Sequence, residues 1–237
     1  MSGKKVLVAH ESEAIRAVIG ALLGAAGFAV ADARDGAACR AMLERPYDGL
    51  VLDVALPDAF AFELIAEAKQ RRPSLRVVLV ASIYNRTSYK RRPTSLYGAD
   101  DYVEQHHIAD SLVGKLDALL RGAPAPAPRH VDSTEGDQVR TAAIGRVDAE
   151  IGGTRDSIVR AQRLARLIVS DIALYNGDAV AAARAGSGAE GLQARLRADL
   201  EEGRLLFDLR VPAAVRAGRD FIAEALAELL GEGGGGR

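Results

Sequence analysis

The first 121 residues alternate short apolar runs with stretches of helical pattern, and this alternation limits the fold more than any other feature of the sequence. Runs rich in branched residues and bounded by polar or turn residues predict five buried strands, at 6–9, 28–31, 49–52, 77–80 and 101–103. Helices are predicted at about 12–26, 36–45, 60–71, 84–97 and 109–121. This order predicts an α/β fold: a doubly wound, five-stranded parallel sheet with right-handed crossovers and helices on both faces.

A proline-rich segment divides the chain. Residues 121–128 read Arg-Gly-Ala-Pro-Ala-Pro-Ala-Pro. Because alternating prolines fix φ and prevent a helix from continuing, they favour an extended, semi-rigid linker. We therefore predict a domain at 1–121, a Pro/Ala-rich linker at 122–138, a helical module at 139–230 and a glycine-rich tail at 231–237.

The segment after the linker has helical periodicity and no strand pattern. One apolar stripe recurs at spacings of three and four residues, through Ile158, Ala161, Ala165, Ile168, Ile172 and Tyr175. A second stripe leads to Phe207 before Pro212, and a last helix is predicted at about 213–230. Roughly four helices predict a small all-α domain, either a bundle or a module that dimerises or binds another protein.

Composition excludes several classes of protein. The chain has 31 Lys+Arg and 32 Asp+Glu, so its net charge of -1 provides no overall attraction to nucleic acid or anionic lipid. Segment 137–230 contains 13 Arg and 14 acidic residues, whereas a DNA-binding domain should have a basic excess. The longest stretch without charge, 17–31, is 15 residues and too short to span a membrane. With the single Cys39, these counts predict a cytoplasmic protein that binds neither DNA nor a membrane.

Three motifs occur in order at the predicted strand ends. The sequence Lys-Val-Leu-Val-Ala-His-Glu occupies 5–11, Leu-Val-Leu-Asp-Val-Ala-Leu-Pro-Asp occupies 50–58, and Gly-Ala-Asp-Asp-Tyr occupies 98–102. Together they resemble the receiver domains of bacterial two-component response regulators, which have a flavodoxin-like fold. The resemblance implies a phosphorelay role, with Asp53 as phosphoacceptor and a histidine kinase or phosphotransfer protein as phosphoryl donor. It also implies a Mg²⁺ site formed by Glu11, Asp53, the carbonyl of Ala55 and the position of His10.

The sequence departs from the family at several of these positions. His10 replaces the first residue of the family's acidic pair, and Glu11 is longer than the usual second residue. Gln105 stands where the family has a lysine that contacts the phosphoryl oxygens, so a charge-assisted hydrogen bond is lost. The family's switch Ser or Thr corresponds to Ser82 or Ala81, of which Ser82 has the useful hydroxyl, and Ser82 is equally well read as a helix N-cap. The expected Mg²⁺ site is therefore weakened.

Three interpretations of the site remain open. The first is a receiver that is phosphorylated on Asp53 and controls a protein interaction through the helical module. The second is a pseudo-receiver scaffold that binds partners without phosphorylation. The third is a transition-metal site formed by His10, His106 and His107 with Glu11 and Asp53, because imidazoles suit zinc better than magnesium. None of these requires the protein to turn over a substrate as an enzyme.

A basic segment interleaved with tyrosines is a candidate partner-binding surface. The residues assigned to it are Arg86, Lys90, Arg91 and Arg92 in the segment 84–97, together with Tyr102. In receivers this face usually carries the phosphorylation-dependent output, so an unidentified downstream protein is the expected partner. The alternative is a solvated basic loop whose tyrosines pack on the core. Homodimerisation through the helical module is a further expectation.

Overall fold

The structure is a computed structural model that describes residues 3–81, 96–122, 154–187 and 196–231. The described residues fall into two compact units, one formed by 3–81 and 96–122 and the other by 154–187 and 196–231. Apart from Gly122, the predicted linker lies outside these residues, as does most of the predicted helix 84–97. The domain boundaries proposed from the sequence remain predictions.

The first unit contains a five-stranded parallel sheet. Its strands are β1 (Lys5–Ala9), β2 (Ala29–Ala33), β3 (Gly49–Asp53), β6 (Arg76–Ala81) and β7 (Asp101–Glu104), in the spatial order β2-β1-β3-β6-β7. Two short strands, β4 (Ala55–Leu56) and β5 (Ala59–Phe60), pair antiparallel directly after β3. The predicted α/β, doubly wound parallel sheet is confirmed.

Three described helices connect strands, namely α1 (Glu13–Ala25), α2 (Gly36–Met42) and α3 (Ala61–Arg71), and a fourth, α4 (Ile108–Leu120), follows β7. The Asp35 carboxylate accepts a hydrogen bond of 2.7 Å from the amide of Ala38 and so caps α2. The predicted helix 84–97 is wrong at its end, because residues 97 and 98 lie in a turn. Tyr97 has φ 51° and Gly98 has φ 89°, values that a continuing helix does not allow.

The core follows from the alternation of side chains along buried strands. Val8, Val51 and Val78 lie side by side in register, and all three are fully buried. Leu23 of α1 and Leu112 of α4 belong to the same hydrophobic cluster, so these two helices cover one face of the sheet. Strand β3 is buried along its whole length. Its last residue, Asp53, therefore lies at the edge of the sheet directly beside the apolar core.

The aspartates of the third motif hold β7 in place. The Asp100 carboxylate accepts hydrogen bonds from Lys69 Nζ (2.7 Å), Arg76 Nη1 (2.9 Å) and the amide of Val77 (2.7 Å). Burial alone would raise the pKa of Asp100, but these bonds lower it below its usual value. Asp101 accepts a hydrogen bond of 2.7 Å from the buried Lys115. In this chain the motif therefore has a structural role.

The second unit is helical. Its elements are α5 (Thr154–Tyr175), α6 (Gly177–Ala182), a π-helical turn (Ala183–Ser187), α7 (Arg197–Arg210), α8 (Ala213–Arg216) and α9 (Phe221–Leu230). Helix α5 packs against α6, α7, α8 and α9. The all-α prediction for this segment is confirmed. Within the described parts of the chain, no helix combines the length and apolar character needed to cross a membrane.

The single helix predicted at 213–230 is wrong, because the chain forms two helices there. Gly218, with φ 78°, interrupts the segment between α8 and α9. The Asp220 carboxylate then accepts a hydrogen bond of 3.0 Å from the amide of Ala223 and starts α9. The prediction failed because the apolar periodicity of the sequence continues through this break. The left-handed Gly218 ends one helix, and the N-cap Asp220 begins the next.

Close packing of α5 on α7 depends on Gly203. A Cβ at this position would lie 2.7 Å from Ile168 Cγ2, closer than real carbon contacts. We expect Gly203→Ala to lower the free energy of unfolding of the helical unit by about 1 kcal/mol, because overpacking outweighs the gain in helix propensity. Gly20→Ala is the matched control, since nothing lies within 4 Å of its Cβ, and it should stabilise the protein slightly. Urea unfolding followed by circular dichroism measures both; equal stabilisation by both changes would contradict this packing.

Candidate functional site

The candidate site is formed where the parallel strands end. Asp53 is the last residue of β3 and lies opposite Val80 of β6 in register. Its side chain is buried, with the residue only 2% exposed. His10 and Glu11 follow β1, the neighbouring strand on the other side. The sheet thus brings the three predicted residues to one edge, which is where doubly wound proteins bind ligands.

The imidazole of His10 faces Asp53. Its Nδ1 accepts a hydrogen bond of 3.0 Å from the amide of Ser12, so the proton of the neutral ring is on Nε2. Nε2 lies 3.4 Å from Asp53 Oδ2, and both side chains are buried. This contact is longer than an ordinary N–H···O hydrogen bond. Where the receiver family has a carboxylate, this chain thus directs a protonated ring nitrogen toward Asp53.

Arg16 of α1 fixes the backbone beside this contact. Its Nη1 donates hydrogen bonds of 2.7 Å to the carbonyl oxygens of both His10 and Glu11. Its Nε donates to Asp32 Oδ2 at 2.8 Å, and the Arg16 side chain is only 13% exposed. Sequence analysis missed Arg16, because no local pattern distinguishes it from the other arginines of the predicted helices. Its role is to hold residues 10 and 11 in position.

The charge state of His10 is set by burial. Burial lowers the pKa of His10 from 6.5 to about 4. The Glu11 carboxylate acts in the opposite direction, and the Arg16 guanidinium adds to the lowering. His10 is therefore neutral at neutral pH. Replacing the family's first carboxylate with His10 removes one negative charge from the site.

The oxygen donors of the site fit a Mg²⁺ ion. Glu11 and Asp53 provide carboxylates at the same edge of the sheet, and the Ala55 backbone follows in β4. Mg²⁺ prefers oxygen ligands and usually keeps several waters, so two carboxylates and one carbonyl are a sufficient protein donor set. The Nε2 of His10 carries a proton and does not coordinate a metal in this arrangement.

The turn after Asp53 is anchored by a contact that sequence analysis missed. Asp58 accepts hydrogen bonds from the amides of Gly36 (2.6 Å) and Ala37 (2.9 Å) at the start of α2. A Cβ on Gly36 would lie 2.5 Å from the Cβ of Ala59, so only glycine allows this close approach. The Pro57-Asp58 dipeptide indicated a turn, but its partner 22 residues earlier is set by the tertiary fold.

The remaining predicted site residues have different outcomes. Gln105 lies in a 3₁₀ turn (Gln105–His107) directly after β7, at the same edge as Asp53. Tyr102 is half-buried, and Lys115 Nζ lies 5.4 Å from its ring centroid, so its ring already has a contact within the unit. Ser82 and the basic residues Arg86, Lys90, Arg91 and Arg92 lie outside the described residues. Their assigned roles, and that of Tyr102 in partner binding, stay predictions.

The three described histidines, His10, His106 and His107, are not gathered into one metal-binding set. His10 contacts Asp53, whereas His106 Nε2 and His107 Nε2 lie 3.4 Å and 3.9 Å from Glu104 Oε2. Among the described residues, the group spaced to hold a metal consists of Glu104, His106 and His107. Burial and the neighbouring His107 lower the pKa of His106 below its usual value. The five-residue set expected from the sequence is thus corrected, because β7 directs the two later histidines toward its own last residue.

Comparison with known proteins agrees with this geometry. A family model described as "Response regulator receiver domain" matches residues 6–117. The chain is 32% identical over 130 residues to the transcriptional regulatory protein TcrA of Mycobacterium tuberculosis, covering 54% of this chain and 50% of TcrA. It is 34% identical over 138 residues to the DNA-binding transcriptional regulator NtrC of Rhizobium meliloti, covering 57% of this chain and 28% of NtrC.

Solved structures similar to this chain include response regulator TrrA of Thermotoga maritima in complex with Mg²⁺ and BeF. It has 22% sequence identity and a TM-score of 0.43, with 49% of this chain and 98% of TrrA covered. The Francisella response regulator 1452 receiver domain has 21% identity and a TM-score of 0.43, covering 51% of this chain and 98% of that domain.

Residues 6–117 form a response regulator receiver domain of bacterial two-component signalling. The family resemblance inferred from the sequence is confirmed for this part of the chain. The chain spans about half the length of TcrA and 28% of the length of NtrC. Both relatives are named as transcriptional regulators, so the expectation that this protein does not bind DNA has no support from them.

The lowered pKa of His10 predicts a pH dependence of stability. Between pH 6.5 and about 4 the unfolded chain binds a proton at His10 that the folded chain excludes, so the folded state loses stability as the pH falls through this window. The expected contribution is about 3 kcal/mol, since each pKa unit corresponds to about 1.4 kcal/mol. Urea unfolding in EDTA should show this extra loss in the natural chain and not in His10→Asn. Parallel pH profiles for the two proteins would contradict the assignment.

Proposed function

We propose that Asp53 accepts a phosphoryl group from a histidine kinase or phosphotransfer protein, and that the helical module delivers the output by binding another protein. The observation that carries this proposal is the arrangement of Asp53, Glu11 and His10 at one edge of the sheet, with the Asp53 carboxylate at the end of a buried strand. The family match over 6–117 supports it. Because kinase-driven phosphotransfer takes place inside the cell, the proposed location is the cytoplasm.

The chemistry assigned to Asp53 is nucleophilic attack on phosphorus. A carboxylate oxygen of Asp53 forms a bond to the phosphoryl group as the bond to the donor breaks, giving an aspartyl phosphate. Phosphoryl transfer depends chiefly on positioning and on neutralising the charge of the phosphoryl oxygens. Mg²⁺ held by Glu11, Asp53 and the Ala55 carbonyl would supply that neutralisation when bound. Arg16 contributes indirectly, by holding the backbone of residues 10 and 11.

His10 changes the electrostatics of this reaction in two opposing ways. A neutral imidazole in place of a carboxylate lowers the attraction for Mg²⁺, because the site has two carboxylates where the family has three. The same exchange reduces the repulsion of an incoming phosphoryl dianion, and the Nε2–H donor faces the carboxylate that would receive it. Gln105 donates a hydrogen bond but carries no charge. We therefore propose a slow receiver with a weak Mg²⁺ site.

A second candidate function is a pseudo-receiver scaffold. The close approach of His10 Nε2 to Asp53 Oδ2, 3.4 Å between two buried side chains, specifically favours it. An N–H group held against the carboxylate competes with the metal and with the phosphoryl donor for the same oxygen. In this version the domain binds partners in one state, and neither Asp53 nor Mg²⁺ alters its affinity for them.

The proposed output is a protein interaction, in which neither the receiver nor the module turns over a substrate. On α7, Leu205 and Leu209 are one helical turn apart and are 67% and 83% exposed. Exposed leucines at this spacing are typical of a helix face that a protein covers, either a second copy of the chain or a different protein. The near balance of 13 Arg and 14 acidic residues over 137–230 argues against binding of DNA phosphates.

Acetyl phosphate with Mg²⁺ tests the phosphoacceptor directly. Intact-protein mass spectrometry should detect one phosphoryl adduct on the natural chain and none on Asp53→Asn. Two variants that restore the family's charges, His10→Asp and Gln105→Lys, should each raise the rate of adduct formation about tenfold, because charge-assisted interactions are roughly twice as strong as neutral ones. Glu11→Gln should lower the rate through the metal site.

The pattern across these variants separates the two candidates. Adduct formation by the natural chain that is abolished in Asp53→Asn supports a working receiver. Failure of the natural chain, combined with success of His10→Asp, would identify a pseudo-receiver disabled at His10. Unchanged dimerisation and unchanged partner binding after phosphorylation would separately contradict the proposed output of the helical module.

A further inference from the structure

A cluster of three potential metal ligands lies at the end of β7, beside the site described above and without using its residues. Glu104 is the last residue of the strand, and His106 and His107 follow in the 3₁₀ turn that leads into α4. The tight winding of this 3₁₀ turn places both imidazoles near the carboxylate of Glu104. The cluster is thus built from a single short segment whose two ends are held by a strand and a helix.

The distances within the cluster suit a tetrahedral metal. His106 Nε2 lies 3.4 Å and His107 Nε2 lies 3.9 Å from Glu104 Oε2, and the three ligand atoms all lie within 4.8 Å of one another. Ligands about 2.0 to 2.1 Å from zinc at tetrahedral angles are about 3.3 Å apart. The separation of His106 Nε2 from Glu104 Oε2 already matches, the separation of His107 Nε2 from the same oxygen is about 0.6 Å too long, and the separation of the two imidazole ligand atoms is at most 4.8 Å. Rotation of the His107 side chain can make up that difference.

The position of the cluster allows an ion to enter and to be retained. The side chains of His106, His107 and Glu104 are 19%, 20% and 17% exposed, so the cluster is partly open to solvent, whereas the Nε2 atom of His106 is itself buried. The two imidazole centroids are 4.0 Å apart, and the rings are inclined by 44°. This packing limits the rings to a few orientations, which reduces the entropy that metal binding would cost. Three protein ligands would leave a fourth position for water or another oxygen ligand.

We propose that Glu104, His106 and His107 bind one divalent transition-metal ion of the zinc type. Two imidazoles and one carboxylate are the donor set of many zinc sites, whereas Mg²⁺ takes oxygen ligands almost exclusively. The proposed ion is therefore different in kind from the Mg²⁺ assigned to Glu11 and Asp53. It is also local to one turn and needs neither His10 nor Asp53.

The ion would change the edge of the sheet beside Gln105. Gln105 lies between the first two ligands in the sequence and brings no charge to the position where receivers have a lysine. A bound dication would add positive charge to this turn and fix the connection between β7 and α4. Because the ion would bind the folded state, it would raise the free energy of unfolding. At metal concentrations above the dissociation constant, this increase grows with the logarithm of the metal concentration.

Metal titration of the full-length chain tests the site. After removal of bound metal with a chelator, Zn²⁺ should bind with a stoichiometry of one ion per chain by calorimetry and should raise the melting temperature. Co²⁺ in place of Zn²⁺ should give the intensified visible absorption of tetrahedral cobalt. Each ligand is removed in turn by Glu104→Gln, which preserves side-chain shape, by His106→Asn and by His107→Asn. Each variant should bind Zn²⁺ at least ~10-fold more weakly, because losing a residue that only supports a metal ligand already has an effect of that size.

Three control variants separate this site from its alternatives. His130→Asn removes an imidazole elsewhere in the chain, and His10→Asn and Asp53→Asn remove groups of the Mg²⁺ edge. All three should bind Zn²⁺ as the natural chain does, whatever the outcome of the phosphorylation experiment. Unchanged Zn²⁺ affinity in His106→Asn and His107→Asn, an octahedral cobalt spectrum, or an equal loss in His130→Asn would each overturn the proposal. Far-UV circular dichroism of the metal-free variants, with Glu104→Gln as the isosteric case, confirms that a loss of binding is not a loss of fold.

Discussion

Five parallel strands in a single sheet must end at the same edge, and the chemistry of the receiver depends on this constraint. Strand β3 is buried along its whole length, and its neighbours β1 and β6 are buried along most of theirs. Polar functional groups are therefore accommodated at the ends of these strands and not along them. Asp53 reaches that edge from an apolar interior, and His10 and Glu11 reach it from β1. The low polarity of the strands strengthens every electrostatic interaction at their ends. Arg16 and Asp58 complete the edge by anchoring the loops on either side of it.

Within this edge the exchange of a carboxylate for His10 has the largest consequences. Burial keeps the imidazole neutral, and the hydrogen bond from Ser12 directs its Nε2–H toward Asp53. In the proposed receiver, this exchange lowers the affinity for Mg²⁺ and also lowers the repulsion of the phosphoryl group, and Gln105 provides no charge where the family has a lysine. Two hydrogen-bond donors thus stand in positions where the family has a metal ligand and a cation.

The strands of the first unit could be predicted from the sequence, because buried parallel strands are short runs rich in β-branched residues and bounded by turn residues. The sequence also predicted that Asp53, His10 and Glu11 lie together, since residues that follow parallel strands share an edge. Contacts set by tertiary packing could not be predicted. The bonds from Arg16 to two backbone carbonyls and from Asp58 to α2 leave no periodic signal, and the grouping of His106 and His107 with Glu104 depends on a three-residue turn. In the helical unit, apolar periodicity ran through the break at Gly218, because periodicity reports burial and not helix ends.

The ionisation state of His10 is the claim on which this account of the site depends, and NMR of the imidazole nitrogens measures it most directly. Long-range proton–nitrogen spectra of the metal-free chain, with His10→Asn used for assignment, report both the tautomer and the pKa. The account predicts a neutral ring protonated on Nε2 at pH 7 that titrates at about pH 4. A ring that titrates near its usual 6.5, or one that carries its proton on Nδ1, would contradict it. The first result would remove the burial effect assigned to His10, and the second would leave Nε2 without the proton that this account places against Asp53.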